Sequence, residues 1–527
     1  MKRAFAMTLA VLTAATTLAG CGGSTSSTSG GTATGEAAGA APSTVTIAVS
    51  ENILTLDPLD QNCVPGAAVM DMVFDALVED NHDGTFSPRL AESWEVSEDG
   101  LTYTFHLRDG VTASNGEPVN ADDVVTTYQR LIDEPGLVCS ANYWGDLESV
   151  EKVDDLTVNI TLTTPNGACL QGVGSAWIIP DEAWNEYGES LFTDQIMIGS
   201  GPWAFDEWVD GQYVHLTQKD SYWNPDWSSA YSEVYIRFVT EASTAISGQL
   251  SGDVDAYLPT SGISPDMLGL YTGSEDRCEL ITVDTSTIDY LGFNCNADSP
   301  FADINVRKAF SMSIDRQTIV DTILGGGLVP IGICNSESMG YDETLTAEGY
   351  TYDPEAAKAL LDASDYNGEP IAISCTSAFQ RIALAVSDYA NQIGFNSSVS
   401  IVESATLSDI RATGDYDAFI VTAMLSGSDP YQFLSFRVQS DAHHSGYVNE
   451  ELNAYIAEGN TSSDHDVRDE AYRQANAIIA EECAPMVSLA QLQNIMSVNY
   501  GITGIKLFSD GFWNLTYIDY DPSLVQQ

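Results

Sequence analysis

Nine cysteines, six histidines and 76 carboxylates are the side chains that could do chemistry in this chain of 527 residues. A protein metal site gathers thiolates or imidazoles at ligand spacing, such as Cys-x-x-Cys. No such pair occurs, and Cys63, Cys139, Cys169, Cys278, Cys295, Cys334, Cys375 and Cys483 lie far apart. His443-His444, just before Ser445-Gly446-Tyr447, is the only adjacent histidine pair, and two neighbouring imidazoles form a weak ligand set. No metal and no cofactor is expected. Hydrolase signatures are missing too: there is no Gly-x-Ser-x-Gly elbow and no His-Glu-x-x-His helix. Ser149-Val150-Glu151-Lys152 fits Ser-x-x-Lys but has no companion motifs. Paired carboxylates carry no information where acidic residues are this abundant. An enzyme is therefore not expected, which leaves binding chemistry. Arg381, after Gln380 near a helix start, is one of only 19 basic residues. Its planar fork suits a ligand carboxylate, although a surface role that balances charge is an equal reading.

The N-terminus addresses a membrane. Lys2 and Arg3 precede an apolar stretch from Ala4 to Ala19 that ends in Leu18-Ala19-Gly20-Cys21. This has the form of a signal peptide, residues 1–20, and its end resembles a lipobox, whose cysteine becomes the lipidated first residue. Residues 22–44 are Gly, Ser, Thr and Ala with one Glu and one Pro, a flexible tether that no core could use. An exported chain with eight remaining thiols permits disulfides, and proximity favours Cys278 with Cys295 and Cys139 with Cys169. The net charge of -57 excludes a nucleic-acid partner, since no basic stripe interrupts it.

The elements that must position any site read as mixed α/β. Val45–Ser50 alternates as an opening strand, and apolar residues recur at helical spacing from Met70 to Val78. Leu101–Leu107 alternates Tyr103, Phe105 and Leu107 against Thr102, Thr104 and His106. Asn120 can cap a helix through Leu131, with Asp122 and Asp123 in its first turn. Further strands are expected at 153–162, 234–238, 288–293, 370–375, 397–402 and 416–422, and 486–498 returns the chain toward its end. Helices are expected at 241–250, 306–323, 354–361, 381–393 and 471–479. Strand–helix–strand units of this kind favour a sheet covered by helices.

Leu90-Ala91-Glu92-Ser93-Trp94, Ser97 to Phe105, Leu107 to Val111, Ser114-Asn115-Gly116 and Ala121 to Val124 form a long ordered run of motifs. Gly199-Ser200-Gly201-Pro202, Tyr222-Trp223, Asn305 to Phe310, Ile314-Asp315-Arg316, Tyr352 to Glu355 and Gly414 to Asp417 follow in order. On these residues the chain resembles the family 5 extracellular solute-binding proteins of oligopeptide and dipeptide importers. The resemblance covers nearly the whole mature chain. It implies a two-lobed, periplasmic-binding-protein-like fold of type II in its three-domain variant, with a hinge and a ligand cleft between lobes. Residues 45–80, 200–290 and 493–527 would form the main domain of lobe I, 81–199 its inserted domain, and 291–492 lobe II. The implied partners are a peptide ligand, an ABC permease with its ATPases, and a membrane reached through the lipid on Cys21. A monomer is expected.

In peptide binders of this family an Asp sits three residues before an Asp-Pro pair and meets the ligand's amino group, with a Trp three further back. Here Asp429-Pro430 places Ser426 and Ala423 at those positions. A Ser accepts from an ammonium but supplies no charge. Ala423, Leu425, Ser426, Gly427, Ser428 and Asp429 thus form the candidate ligand segment, with Asp429 either substituting for the missing acid or capping a turn. Trp203 and Tyr431 are aromatic candidates, as are Trp208 and Trp513, each with a core role as the plainer reading. The neutral Ser426, Ser428 and Gln432 keep oligosaccharide as the alternative ligand class.

Overall fold

Alternation sets the first recognisable strand. In Thr102–Leu107, Tyr103, Phe105 and Leu107 are buried and the residues between them are half-exposed, the pattern expected of a strand with one wet face. It pairs with Ala91–Val96 and Thr157–Leu162, and Leu147–Asp154 completes a four-stranded antiparallel sheet. Helix Ala121–Asp133 packs on this sheet and opens with a reciprocal box. The Asn120 side chain accepts from Asp122 N, and Asn120 N donates to Asp123.

The computed structural model describes residues 42–425, 428–439 and 444–525. The signal peptide, Cys21 and most of the tether lie outside the described residues, as do Ser426, Gly427 and His443. Thr44 already belongs to strand Thr44–Val49.

A ten-stranded mixed sheet organises the body. Its middle is the antiparallel pair Cys278–Phe293 and Met486–Asn499, strands of 16 and 14 residues. One flank continues through Ala256–Tyr257, Thr44–Val49, Glu233–Phe238, Tyr213–Gln218 and Trp203–Val209. The other continues through Ala418–Met424, Pro370–Cys375 and Asn396–Ile401. The long pair crosses between two hydrophobic cores. Met496 and Val498 belong to a core that also holds residues from Val45 to Leu258, together with Trp513, Leu515 and Ile518. Val487, Leu489, Tyr290 and Phe293 belong to a second core that reaches from Ile288 to Leu489.

Between the cores the ladder of the long pair breaks, with its register shifting between Asp284 and Ile288. The freed backbone groups find other partners, as buried polar groups must. Gln491 Nε2 donates to Thr285 O at 2.9 Å, Ser286 N donates to Ser509 O at 2.6 Å, and Leu425 N donates to Ser286 O at 3.3 Å.

Two expectations change. The helix expected over 306–323 is three pieces: Ile304–Met312, Arg316–Ile319 and a π turn Val320–Leu324. Asp315 causes the break, because its carboxylate accepts from Thr318 N and so caps a new helix inside the old pattern. The expected disulfides are absent, and all eight described cysteines are free thiols. Strand Cys278–Phe293 separates Cys278 from Cys295 by roughly 50 Å at about 3.3 Å per residue, far beyond disulfide reach. Cys139 and Cys169 sit on neighbouring short helices, Val138–Tyr143 and Cys169–Gly174. Their thiols face different partners: Cys139 Sγ lies 3.6 Å from Ser175 O, and Cys169 faces Tyr103. Burial pushes the Cys139 thiol up to about 12, which leaves it un-ionised and inert.

Candidate functional site: a cavity between the two cores

A cavity of about 1020 Å³ opens where the long strands pass between the cores. Thr282, Thr285 and Thr287 come from one strand, and Gln493 and Asn494 from the other. The first core contributes the start of helix Val64–Val73, both ends of helix Val138–Tyr143, and Trp177. The second contributes Thr422, Ala423 and Met424, Gln432 and Arg437, and the π turn through Leu324, Gly325 and Gly326. That turn directly follows the short helix that Asp315 caps, and Gly325 closes it at φ 79°, a left-handed angle that suits glycine.

The lining is mostly neutral hydroxyl, amide and apolar, with three aromatic rings, Tyr143, Trp177 and Phe512. Trp177 is held by its Nε1, which donates to Asp71 Oδ1 at 2.9 Å. Among the described residues the charged lining side chains are Glu51, Asp510 and Arg437. Asp510 is paired with His82 at 2.6 Å, and His82 stacks on Phe508 with centroids 3.9 Å apart. Burial opposes charge on His82, but the Asp510 carboxylate outweighs it and the imidazole is pushed up to about 9.

The sequence candidates divide in space. Ala423 lines the cavity, as does the neutral Gln432. Leu425 is buried in the second core, and Ser426 and Gly427 lie outside the described residues. Ser428 is buried and ties segments of both cores together. Its Oγ donates to His82 O at 2.9 Å and meets Ser509 Oγ at 2.8 Å. Asp429 takes the capping role, accepting from Tyr431 N at 2.9 Å, and pairs with Arg468 at 2.7 Å. Tyr431 is half-buried behind it and does not line the cavity. Trp203 is fully buried, with its Nε1 donating to Thr516 O at 3.2 Å. Gln380 and Arg381 are exposed at the start of helix Gln380–Ile393, away from the cavity. His444 meets Asn296 through its backbone oxygen, and no metal-binding group of three His, Cys, Asp or Glu occurs among the described residues.

Sequence reading missed Glu51, Trp177, Phe512 and Arg437. Scarcity of basic residues could have found Arg437, since it follows Asp429-Pro430 by only seven positions. Nothing local marks the others, which reach the cavity from three separate segments.

Residues 85–444 match the family model described as bacterial extracellular solute-binding proteins, family 5 Middle. Heme-binding protein A of Haemophilus influenzae is 29% identical over 458 residues, covering 79% of this chain and 81% of its own. The periplasmic oligopeptide-binding protein OppA of the same organism is 24% identical over 461 residues, covering 81% and 84%. The solved structure of HbpA2 from Haemophilus parasuis superposes with a TM-score of 0.81 at 25% identity, covering 91% of this chain and 100% of that one. The mixed α/β architecture is thus that of the type II periplasmic-binding-protein-like fold, and its role is binding rather than catalysis. The matched span exceeds half the chain, and the chain belongs to the bacterial extracellular solute-binding proteins, family 5.

Proposed function

We propose that this protein is the substrate-binding component of an ABC importer, capturing peptides outside the membrane and delivering them to the permease. The lining of the cavity carries the reading: neutral hydrogen-bonding groups on two paired strands, with Glu51 and Asp510 opposed in sign by Arg437. A peptide of any sequence has a repeating polar backbone and two charged ends, which such a lining can meet. A neutral oligosaccharide would use the hydroxyls and rings but gain nothing from Arg437. The oligopeptide-binding relative supports the peptide reading. The haem-binding relative supplies the competing ligand to watch for.

On this reading residues 45–80, 200–290 and 493–527 make the main part of lobe I, with 81–199 inserted and 291–492 as lobe II. The membership of the two cores supports that division. The broken ladder at Asp284–Ile288 is the hinge, because a short unpaired stretch absorbs rotation that a continuous ladder resists. The protein works as a monomer held to the outer face of the membrane by lipid on Cys21. Cys21→Ser should release it into the medium, and retention of the variant on membranes would remove the anchor from the reading.

The test of the ligand class is native mass spectrometry of the purified protein, followed by denaturing release and identification of what was bound. A ladder of peptides is the expected result. A hexose oligomer, or haem, would overturn it.

A further inference from the structure

Gly167 makes a contact that leaves no room for a side chain. It lies in the loop between strand Thr157–Leu162 and helix Cys169–Gly174, and Leu162 and Cys169 belong to the first core. Its N–H donates to Asn460 O at 2.7 Å. Asn460 stands near the end of helix Glu450–Thr461, which the second core holds through Leu452 and Ile456. A Cβ on Gly167 would fall 2.8 Å from Arg468 Nε and 2.9 Å from Gly459 O, and closer still to Ser462 O. Two of those three atoms are backbone and cannot swing aside as the end of a side chain can.

Each side of this contact is fixed by its own neighbours. Asn166 is buried, its carbonyl accepts from Tyr103 Oη at 3.2 Å, and its side chain accepts from Ala168 N at 2.9 Å. On the facing turn, the Asn460 side chain accepts from Tyr472 Oη and donates to Ser435 Oγ, both at 2.9 Å. Arg468 donates to Gly459 O at 2.9 Å and is held by Asp429 at 2.7 Å. Gly84 and Gly325 also touch residues of the other lobe, at Met339 and Pro265, but their left-handed φ values of 84° and 79° already call for glycine. Gly167 does not have a positive φ, so its own backbone would accept a side chain. The contact with the facing turn is what excludes one. Gly167, Asn460, Ser462 and Arg468 are all absent from the cavity lining.

We infer that Gly167 and the turn at Asn460–Ser462 form a closing seat that sets the affinity of the cavity for every ligand while touching none of them. The seat rests on the reading of the two cores as hinged lobes around a ligand cleft. It joins 81–199 to 291–492, so rotation at the hinge makes or breaks it. A contact present in the closed form alone favours closure by its full free energy. The apparent dissociation constant is the intrinsic one divided by the fraction of molecules able to close. Loss of the seat therefore weakens all ligands by one common factor, whatever their chemistry.

The experiment compares the full chain with its Gly167→Ala and Gly167→Val variants. Small-angle X-ray scattering reads closure, urea unfolding reads stability, and native mass spectrometry with a di- to pentapeptide library reads binding. Gly167→Ala should raise the dissociation constant of every bound peptide by about tenfold, the factor by which the closed fraction falls, and Gly167→Val by more. Both variants should show a larger radius of gyration than the wild type. The urea midpoint should not move, because an open cleft accommodates the added methyl groups. If the library binds, an unchanged radius or unchanged dissociation constants would overturn the seat and leave the peptide reading standing. Weakening confined to some peptides would overturn it too, since Gly167 would then be touching ligand. A lowered midpoint at the wild-type radius would mark an ordinary packing contact and likewise overturn it. No binding by the library, with the radius still enlarged in the variants, would overturn the peptide reading and keep the seat. No binding and no change in radius would overturn both.

Discussion

Asp289 is a carboxylate in an unfavourable place. It lies opposite Thr422 in the sheet, is only 3% exposed, and leaves its Oδ1 buried without a partner. Burial pushes its carboxyl up to about 6 from an ordinary 3.8. Below the ordinary value both folded and unfolded chains hold the proton, and the site costs nothing. As pH rises the unfolded chain ionises first, so stability present in acid is lost as pH rises through about 6. Asp289→Asn should therefore stabilise the protein by about 1–2 kcal/mol at pH 8 and by nearly nothing at pH 3.5, measured by urea unfolding. An equal gain at both pH values would assign the effect to packing instead of ionisation. Asp429 shows the opposite economy, since Arg468 neutralises it within the core at 2.7 Å. Arg468→Met leaves that carboxylate buried and alone and should cost about 3–5 kcal/mol. Adding Asp429→Asn should recover a large part of the loss. Of this pair the sequence betrays only half. The Asp-Pro turn announces a capping aspartate, but a partner 39 positions away has no local signature.

Helix Ala121–Asp133 shows what is legible at the next scale. Its start is written in four residues, because Asn120 and Asp123 satisfy each other's neighbouring N–H groups. Asn120→Ala should lower stability by about 1 kcal/mol in urea unfolding without changing the m-value, since the surface exposed on unfolding is unaltered. Strands such as Thr102–Leu107 are equally plain, because one wet face forces alternation. The failures have physical causes of their own. The first half of Cys278–Phe293 carries Glu279, Thr282, Asp284 and Thr285, and it is a strand because Met486–Asn499 pairs with it, not because of its own pattern. The broken helix near Asp315 misleads for the reverse reason: its apolar spacing continues through 306–323 while one carboxylate resets the chain. The cavity is least legible of all, since its wall is assembled from such interrupted elements and from single residues of distant segments.

At the scale of the whole molecule, charge dominates. The sequence carries 19 basic against 76 acidic side chains, and several of those few cations are spent inside the fold. Arg89, Arg130 and Arg468 are buried in ion pairs, and Arg307 and Arg316 are buried against backbone oxygens. The outer surface is therefore even more one-sided than the net charge of -57 suggests, and it repels itself over distances that solvent ions control. Salt should stabilise this protein. The Debye length falls from about 30 Å near 0.01 M to roughly 4 Å near 0.5 M, which screens surface repulsion and leaves the buried pairs almost untouched. The melting temperature in sodium chloride should rise by roughly 3–8 °C across that range at pH 7.5. At pH 4, where many carboxylates are protonated, the same series should give a much smaller rise. If the rise were as large at pH 4, salt would be acting through exclusion from the protein surface, and self-repulsion would not be what limits stability.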